Sequence, residues 1–447
     1  MAGEFRRLNL RPGGDSGSYL QRYPLEVYRF EPDSSTLRAS GRATASWRVG
    51  QDVLLVQGEA PASTVSASVV VVTGDPQRGP ALDSTAVAGK LVILSFGPQL
   101  NAIAGKLLPL RPLAVLLVGD LPDSLWAQFP GREGGIRVRN PSEASGLPFP
   151  AVFATRIGTL GPWLAQAGVS PDSLPVWGQA PLAARPVPDV TIQIDVWQRL
   201  VERTSAPNVV GILEGSDPLL KREYVIYSAH MDHIGTPRDG MGCAPQGADS
   251  ICNGADDDGS GTVAVLELAG AFATATQRPK RSVVFMTVSG EERGLWGSAY
   301  FTDHPTLPLA SVVADLNTDM VGRNAPDTMA VIGREHSDLG AVVDRVAAAH
   351  PEIGLHPVGD LWPQEGLFFR SDHFNFAKHG VPILFFTSGL HPDYHRVTDA
   401  PAALDADKVA RYARLAYYIG MDVANAATRP KWNPDSYKKI VTGSGPE

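Results

Sequence analysis

Residues 224–232 read YVIYSAHMD and residues 282–292 read SVVFMTVSGEE. Each segment begins with an apolar run rich in β-branched residues, which is typical of a strand buried on both faces, and each stops abruptly at a histidine or at carboxylates. Between them, residues 253–261 form a glycine-rich turn that carries three aspartates, NGADDDGSG. Histidines and carboxylates at strand ends and in tight turns indicate a metal site.

Strands and helices alternate from this stretch towards the C-terminus. The predicted elements are strand 224–229, helix 261–275, strand 282–288, strand 311–318, helix 339–349, strand 381–387 and helix 405–426. Such alternation predicts the α/β class, with a mostly parallel, mixed sheet and helices on both faces. A sheet of this kind binds ligands beyond the carboxyl ends of its strands, where the histidines and carboxylates of this chain lie.

The length and charge of the chain limit its partners. Its 447 residues allow two or three domains of roughly 150 residues each. A formal net charge of −8, a pI near 5.7 and the lack of a basic run argue against nucleic acid as a partner. No apolar stretch reaches the roughly 20 residues that span a bilayer, so we expect no membrane span. The sequence does not indicate an oligomeric state.

A different composition marks residues 57–180. The predicted elements there are strands at 69–73, 90–96, 113–119 and 151–155 and a helix at 160–167. The segment contains no histidine, although the chain has ten. We therefore predict a smaller β-rich insert at residues 57–180, which divides the α/β domain into residues 1–56 and residues 181–447.

His230 and Asp232 lie two positions apart at the end of a predicted strand. In extended backbone their side chains point the same way, which suits a metal-binding imidazole whose other ring nitrogen donates to a carboxylate. By the same alternation His233 faces away, and we interpret it as structural. The motif alone is weak, because most histidines in a fold are ordinary surface or core residues.

The turn at residues 253–261 crowds Asp256, Asp257 and Asp258 together. Three carboxylates repel one another unless a cation lies among them. A calcium-binding EF-hand loop that starts at Asp256 is the main rival interpretation. We reject it because a loop rich in glycine and proline replaces the incoming helix, and because residues 262–266 already belong to an apolar helical run.

Other strand ends add candidates. Glu291 and Glu292 follow a buried strand, and adjacent carboxylates can divide the roles of metal ligand and general base. Asp319 ends another strand, and His395 is a candidate ligand with Asp399 behind it. Each has an alternative interpretation: Glu291 and Glu292 as a solvated pair, Asp319 as a turn residue, and His395 as a solvated loop histidine.

Together these residues offer two histidines and several carboxylates, which suits zinc, or manganese and cobalt less specifically. The chain has neither a G-x-S-x-G nor an H-E-x-x-H motif, so a serine mechanism and a single-zinc mechanism of that helical type are disfavoured.

One known family resembles this chain in the order and spacing of five motifs: AHMDH, NGADDDGSG, SGEERG, NTDMVG and YHRVTD. It is the zinc exopeptidase family of bacterial leucyl aminopeptidases and glutamate carboxypeptidases, and the resemblance covers residues 190–427. The segments GKLVILSF and PFPAVFAT look like the protease-associated domain that many members carry as an insert. The resemblance implies a zinc peptidase catalytic domain interrupted by a protease-associated insert at residues 57–180.

The resemblance also implies a role for each site residue. Five residues would ligate two zinc ions: His230, Asp257, Glu292, Asp319 and His395. Asp257 would bridge both ions, and a cis peptide bond would join it to Asp258. Glu291 matches the general base, Asp232 the carboxylate behind the first histidine, and Tyr394 a hydroxyl directed at the developing oxyanion.

The expected function is therefore a metallo-exopeptidase that uses a bridging water to hydrolyse peptide or small amide bonds. We place aminopeptidase activity first and keep carboxypeptidase and dipeptidase activities as alternatives, since the pocket walls come from loops such as 354–370. A glutaminyl cyclase with a similar ligand set and one zinc is an alternative from the transferase class. A non-catalytic, receptor-like module is a third.

The N-terminus MAGEFRRLNLRPGGD begins with a helix-like segment and lacks the apolar core of a signal peptide. We interpret it as a chain whose upstream sequence is missing. Family members are commonly exported, so we expect a secreted or periplasmic protein. Cys243 and Cys252 lie in one loop, where a disulfide and two free thiols both remain open.

Overall fold

The structure is a computed structural model of the chain. It describes residues 1–57, 61, 63–78, 82–97, 100–120, 126, 136–142, 150–174, 180–236, 243 and 246–442. The first two residues of the PFPAVFAT segment, 148 and 149, lie outside the described residues.

The described residues form two β-sheets. In chain order the strands are β1 (Arg11–Pro12), β2 (Leu20–Phe30), β3 (Thr36–Gly41), β4 (Ala45–Arg48), β5 (Val53–Gln57), β6 (Val65–Thr73), β7 (Leu91–Ser95), β8 (Ala114–Gly119), β9 (Ile136–Arg139), β10 (Ala151–Arg156), β11 (Ala183–Asp195), β12 (Gln198–Leu213), β13 (Tyr224–His230), β14 (Ser282–Val288), β15 (Val312–Thr318), β16 (Thr328–Ile332), β17 (His356–Val358) and β18 (Ile383–Thr387).

Ten α-helices lie among the described residues. They are α1 (Ala2–Arg7), α2 (Ser84–Val87), α3 (Leu100–Leu107), α4 (Ile157–Gln166), α5 (Gly261–Thr274), α6 (Trp296–Asp303), α7 (Leu339–Ala349), α8 (His373–Lys378), α9 (Ala406–Asn425) and α10 (Pro434–Ile440).

The larger sheet has ten strands in the order β17-β16-β18-β15-β13-β14-β12-β2-β9, with β1 paired to β12. Its centre, β18-β15-β13-β14, is parallel, whereas β12, β2 and β9 add antiparallel strands on one side and β16 is antiparallel to β18 on the other. The predicted mixed α/β architecture is therefore confirmed. The four central strands all end at one edge of the sheet.

Both faces of this sheet are covered by helices. Along β13, Val225 and Tyr227 pack with α5, α7 and α9 in one apolar cluster, while Ile226 packs with α6 and α8 in another. Successive side chains of a strand point to opposite faces, so the two clusters lie on opposite sides. Burial on both faces explains why the central strands read as continuous apolar runs.

The second sheet has eight strands in the order β4-β3-β11-β6-β7-β8-β10-β5. It has its own apolar clusters, in one of which Trp47 and Trp163 meet edge to face with ring centroids 5.4 Å apart. The sheet also takes strands from both sides of the predicted insert, namely β3, β4 and nearly all of β5 before it and β11 after it. Strand β9, from within residues 57–180, pairs instead with β2 of the larger sheet.

Two further expectations meet the structure here. Cys243 and Cys252 are joined by a disulfide, with Cα atoms 6.0 Å apart, and the bridge packs against Ile234 and Val397. Within the described residues, no helix combines the length and the apolar character needed to cross a lipid bilayer.

Candidate metal centre

The candidate residues meet at the carboxyl edge of the larger sheet. His230 is the last residue of β13, and it lies level with Val288 at the end of the neighbouring β14. Asp319 directly follows β15, and the loop after β18 carries His395. Parallel strands end at the same edge of a sheet, so residues more than 160 positions apart in sequence converge there.

One trio of polar atoms surrounds the end of β13. The Nε2 atom of His230 lies 3.2 Å from Oδ1 of Asp257 and 3.6 Å from Oδ1 of Asp319. All three side chains are buried. The peptide bond between Asp257 and Asp258 is cis, as the family resemblance implies.

A second trio shares Asp257 with the first. The Nε2 atom of His395 lies 3.3 Å from Oδ2 of Asp257 and 3.4 Å from Oε2 of Glu292. Each oxygen of the Asp257 carboxylate therefore faces a different histidine. The five predicted ligands all lie in this one cluster.

The donor atoms of the cluster fit metal ions. Nε2 of His230, Nε2 of His395 and Oδ1 of Asp319 are buried and have no hydrogen-bond partner among the described residues. Two ligand atoms roughly 2.0–2.1 Å from a tetrahedral zinc ion lie about 3.3 Å apart, close to the separations in both trios. Imidazole and carboxylate ligands at these separations suit zinc.

The electrostatics of the cluster favour positive charge. Burial alone would lower the pKa of His230, but the carboxylates of Asp319 and Glu291 raise it well above its ordinary value. The pKa of His395 rises to about 9 despite burial, because the carboxylates of Asp257 and Glu292 lie beside its ring. Burial would raise the pKa of Asp257, yet both histidines hold it well below its usual range. Such a cluster attracts cations.

Glu291 lies beside the trios and lines a cavity with Asp257, Asp319 and Tyr394. Burial raises the pKa of its carboxyl group well above the usual range, and the nearby carboxylates of Asp319 and Asp372 add to the shift while His230 opposes it. The carboxyl group of Glu291 therefore binds a proton more readily than an ordinary glutamate does, and it lies beside a cluster of potential metal ligands.

Asp232 does not contact His230 in the predicted way. The Nδ1 atom of His230 lies 3.0 Å from the backbone carbonyl of Asp232 but 3.9 Å from its carboxylate. The carboxylate instead accepts a hydrogen bond of 3.2 Å from the backbone N–H of Glu291. The Asp232 carboxylate thus binds the loop that carries Glu291, the candidate base, and the Asp232 carbonyl orients the ring of His230.

The expectation that a cation relieves the repulsion of three aspartates is wrong for two of them, because protein groups surround Asp256 and Asp258: backbone N–H groups donate to Asp258, and His391 Nε2 lies 3.4 Å from Oδ2 of Asp256. Asp258 accepts from the backbone N–H groups of His230, Gly261 and Met320, and so joins two strand ends to the start of α5. Asp256 accepts hydrogen bonds as well, including one from Gly322 N. Only Asp257 enters the cluster.

The prediction that His233 faces away is wrong. Its Nδ1 atom lies 2.8 Å from Oε1 of Glu292, and its side chain belongs with Asp257 and Glu292 to a group of potential metal ligands. Two-residue alternation holds for extended backbone, but β13 ends at His230, so the rule does not apply to the next three residues. The sequence carried one indication of this contact, because His233 is a third polar residue, after His230 and Asp232, at or just beyond the strand end.

Asp399 and Tyr394 occupy the loop after β18. Asp399 does not support His395 as predicted; its buried carboxylate accepts from the backbone N–H groups of Asp256 and Asp257 at 3.1–3.2 Å. The Tyr394 ring stacks on His395 with centroids 3.7 Å apart, and its hydroxyl accepts a hydrogen bond of 3.4 Å from Arg370. Arg370 lies in the 354–370 loop but was not singled out by its sequence context.

Comparison with known proteins places this cluster in a family. Residues 208–420, which contain every residue of both trios, match the model of Peptidase family M28. This part of the chain belongs to peptidase family M28. The predicted relationship to the zinc exopeptidase family is thereby confirmed.

Two relatives of the M28 region illustrate the similarity. The chain is 29% identical over 281 residues to a "Probable zinc metalloprotease" of Pyricularia oryzae, covering 51% of this chain and 53% of that protein. It is 28% identical over 228 residues to a "Probable leucine aminopeptidase" of Arthroderma benhamiae, covering 49% and 58%. The chain thus spans little more than half the length of these relatives.

A solved structure resembles the whole fold. The aminopeptidase from Aneurinibacillus sp. strain AM-1 matches with a TM-score of 0.52 and 18% sequence identity, covering 96% of this chain and 88% of that one. At this identity the match shows a shared fold, and the M28 model carries the assignment to the family.

Proposed function

We propose that the protein is a zinc-dependent exopeptidase that hydrolyses peptide or small amide bonds, with aminopeptidase activity first. The observation that carries the proposal is the convergence of two histidines and three carboxylates, drawn from separate strand ends, beside the buried carboxyl group of Glu291. The family and the names of the two relatives support it. Carboxypeptidase and dipeptidase activities remain the alternatives within the family.

We assign one zinc ion to each trio: His230, Asp257 and Asp319 for the first, and His395, Asp257 and Glu292 for the second. Manganese or cobalt are possible substitutes with such ligands. When bound, the two ions would activate a shared water and polarise the scissile carbonyl. Asp257 offers one oxygen to each trio, which supports its role as the bridging ligand.

The other residues handle protons and orientation. Glu291 takes the proton of the attacking water and returns it to the leaving amine, a task for which its raised pKa suits it. Tyr394 lines the same cavity and would donate its hydroxyl hydrogen to the oxygen on which negative charge develops. Asp232 accepts the Glu291 backbone N–H and so helps to hold the base in place.

Two variants test the assignment. We expect Glu291→Gln to retain two equivalents of zinc but to lose at least about a hundredfold in kcat, because only the proton acceptor is removed. We expect Glu292→Ala to lose one equivalent of zinc. Metal content by mass spectrometry and hydrolysis of leucine p-nitroanilide and free dipeptides provide the measurements. Full turnover by Glu291→Gln, or a single zinc in the unaltered protein, would contradict the proposal.

A peptide with N-terminal glutamine serves as the control substrate in the same assay. Release of a pyroglutamyl peptide with one bound zinc would favour the cyclase alternative. A protein that binds no zinc and hydrolyses none of the substrates would favour the receptor-like alternative.

We further propose that the second sheet and its helices form a protease-associated domain and that the protein acts outside the cytoplasm. The separate apolar clusters of this sheet support the first statement. The disulfide between Cys243 and Cys252 supports the second, since disulfides persist in oxidising compartments.

A further inference from the structure

A partly open cavity lies beside the cluster of proposed metal ligands. Part of its wall is apolar: Met320, Leu367, Phe385 and Leu390. The charged residues among its described lining are Asp257, Glu291, Asp319 and Arg370. The three carboxylates belong to the proposed ligand set and base, so Arg370 is the charged group of this lining that the mechanism leaves unused.

The guanidinium of Arg370 is available for a ligand. Its described contacts are long: 3.4 Å to the Tyr394 hydroxyl, 3.4 Å to the Glu365 carbonyl and 3.8 Å to the Glu365 carboxylate. An arginine has five N–H donors in a planar fork that matches a carboxylate. The side chain is also 40% exposed, so a ligand can approach it.

The position of Arg370 relates it to the reacting bond. Its terminal nitrogen reaches the hydroxyl of Tyr394, whose ring stacks on His395. Consecutive residues of a peptide lie about 3.8 Å apart between Cα atoms, so a substrate held at the cluster brings the neighbouring residue towards this arginine. A fixed cation at this place repels an ammonium group and attracts a carboxylate.

We propose that Arg370 is a specificity residue that binds a carboxylate of the substrate next to the scissile bond. The preferred substrates are then short peptides with an apolar residue in the cavity and a negative charge on the following residue. This inference rests on the proposed peptidase function. The carboxylate has two possible sources, the C-terminus of a dipeptide or an acidic side chain.

Binding of unhydrolysed peptides tests the proposal. The protein is the zinc-loaded full chain with Glu291→Gln, and calorimetry measures the affinity of four probes: Leu-Ala, Leu-Ala amide, Leu-Asp amide and Leu-Asn amide. We expect at least one acid to bind about 10- to 100-fold more tightly than its neutral partner, as charge-assisted bonds to arginine do. The first pair reports a C-terminal carboxylate and the second an acidic side chain.

Substitutions of Arg370 identify the group responsible. In the same background, Arg370→Gln should reduce the preference for the acid to less than about threefold, and Arg370→Lys should keep part of it because it keeps the charge but not the fork. Arg345→Gln, which removes an exposed positive charge on α7, should leave the preference unchanged. A role limited to positioning Tyr394 would change the affinities for acid and amide equally.

Equal affinities for acid and amide, no measurable binding by any probe, or a preference that survives Arg370→Gln would overturn the proposal. Peptide hydrolysis by the unaltered protein is measured separately. If it hydrolyses Leu-Ala amide as efficiently as Leu-Ala and Leu-Asn amide as efficiently as Leu-Asp amide, the peptidase function stands and the role of Arg370 falls. If it binds acids selectively through Arg370 but hydrolyses none of the probes, the role of Arg370 stands and the peptidase function falls.

Discussion

At the scale of single residues, His233 departs furthest from its sequence-based interpretation. It lies against Glu292 rather than facing away, with 2.8 Å between Nδ1 and Oε1. This separation is shorter than the 3.2–3.6 Å between the atoms of the two trios. It therefore favours His233 as a hydrogen-bond partner of Glu292 over His233 as a sixth metal ligand. Groups that contact a ligand in this way orient it towards its metal.

We therefore predict that His233→Ala weakens zinc binding in the second trio by about 10- to 100-fold and leaves the first trio largely unaffected. Titration of the metal-free protein with zinc and a competing chelator measures both affinities. His304→Ala, which removes an exposed histidine directly after α6, is the matched control. Two unchanged zinc affinities in His233→Ala would show that the contact with Glu292 has no role in binding.

At the scale of elements, the loop after β18 supports the turn that carries Asp257. The buried carboxylate of Asp399 accepts the backbone N–H groups of Asp256 and Asp257, and its carbonyl accepts that of Ala255. The turn between β13 and α5 is thus fixed from a distant part of the chain. Removal of an acceptor leaves these buried N–H groups unpaired, at a cost of about 1–3 kcal/mol each.

We predict that Asp399→Ala lowers the free energy of unfolding of the metal-free protein by about 2–4 kcal/mol and also weakens zinc binding, because the position of Asp257 is loosened. Asp399→Asn, which keeps one acceptor oxygen, should have roughly half the effect. Urea unfolding with chelator present measures the first quantity, and zinc titration the second. Stability and zinc affinity equal to those of the unaltered protein would contradict this role.

The same comparison explains what the sequence could predict at this scale. The predicted strand 282–288 and helix 339–349 match β14 and α7. Burial on both faces gives the strand a continuous apolar run, and burial of one stripe gives the helix apolar residues at helical spacing, so both can be recognised in the sequence. The contacts of Asp232, His233 and Asp399 were predicted wrongly, because they depend on loop backbone that follows no period. His230, Asp319 and the Glu291–Glu292 pair stand out because strands end beside them. The resemblance to the family, not the pattern, selected Asp257 among three aspartates and Glu292 over Glu291. Arg370 lies in a loop whose sequence carries no such indication.

At the scale of the whole molecule, the two sheets are distinct in their cores but share connections. The chain passes between them from β2 to β3, from β8 through β9 to β10, and from β11 to β12. Among the described residues, Phe30 at the end of β2 is the one buried residue of a larger-sheet strand that packs in an apolar cluster of the second sheet. All proposed metal ligands lie at the carboxyl edge of the larger sheet, in a strand end or in the segments that follow its strands. Metal binding should therefore stabilise the two sheets unequally.

Zinc at about 100 times its dissociation constant stabilises the form that binds it by about 2.7 kcal/mol, a hundredfold reduction in unfolding openings. We predict that hydrogen exchange measured by mass spectrometry slows towards this limit in peptides covering β13, β14 and β15, and changes little in those covering β7 and β8. The Glu292→Ala protein should show a smaller effect in the same peptides. Equal slowing in both sheets would mean that they open as one unit. No slowing in β13, β14 and β15 would show that zinc does not bind at the edge of this sheet.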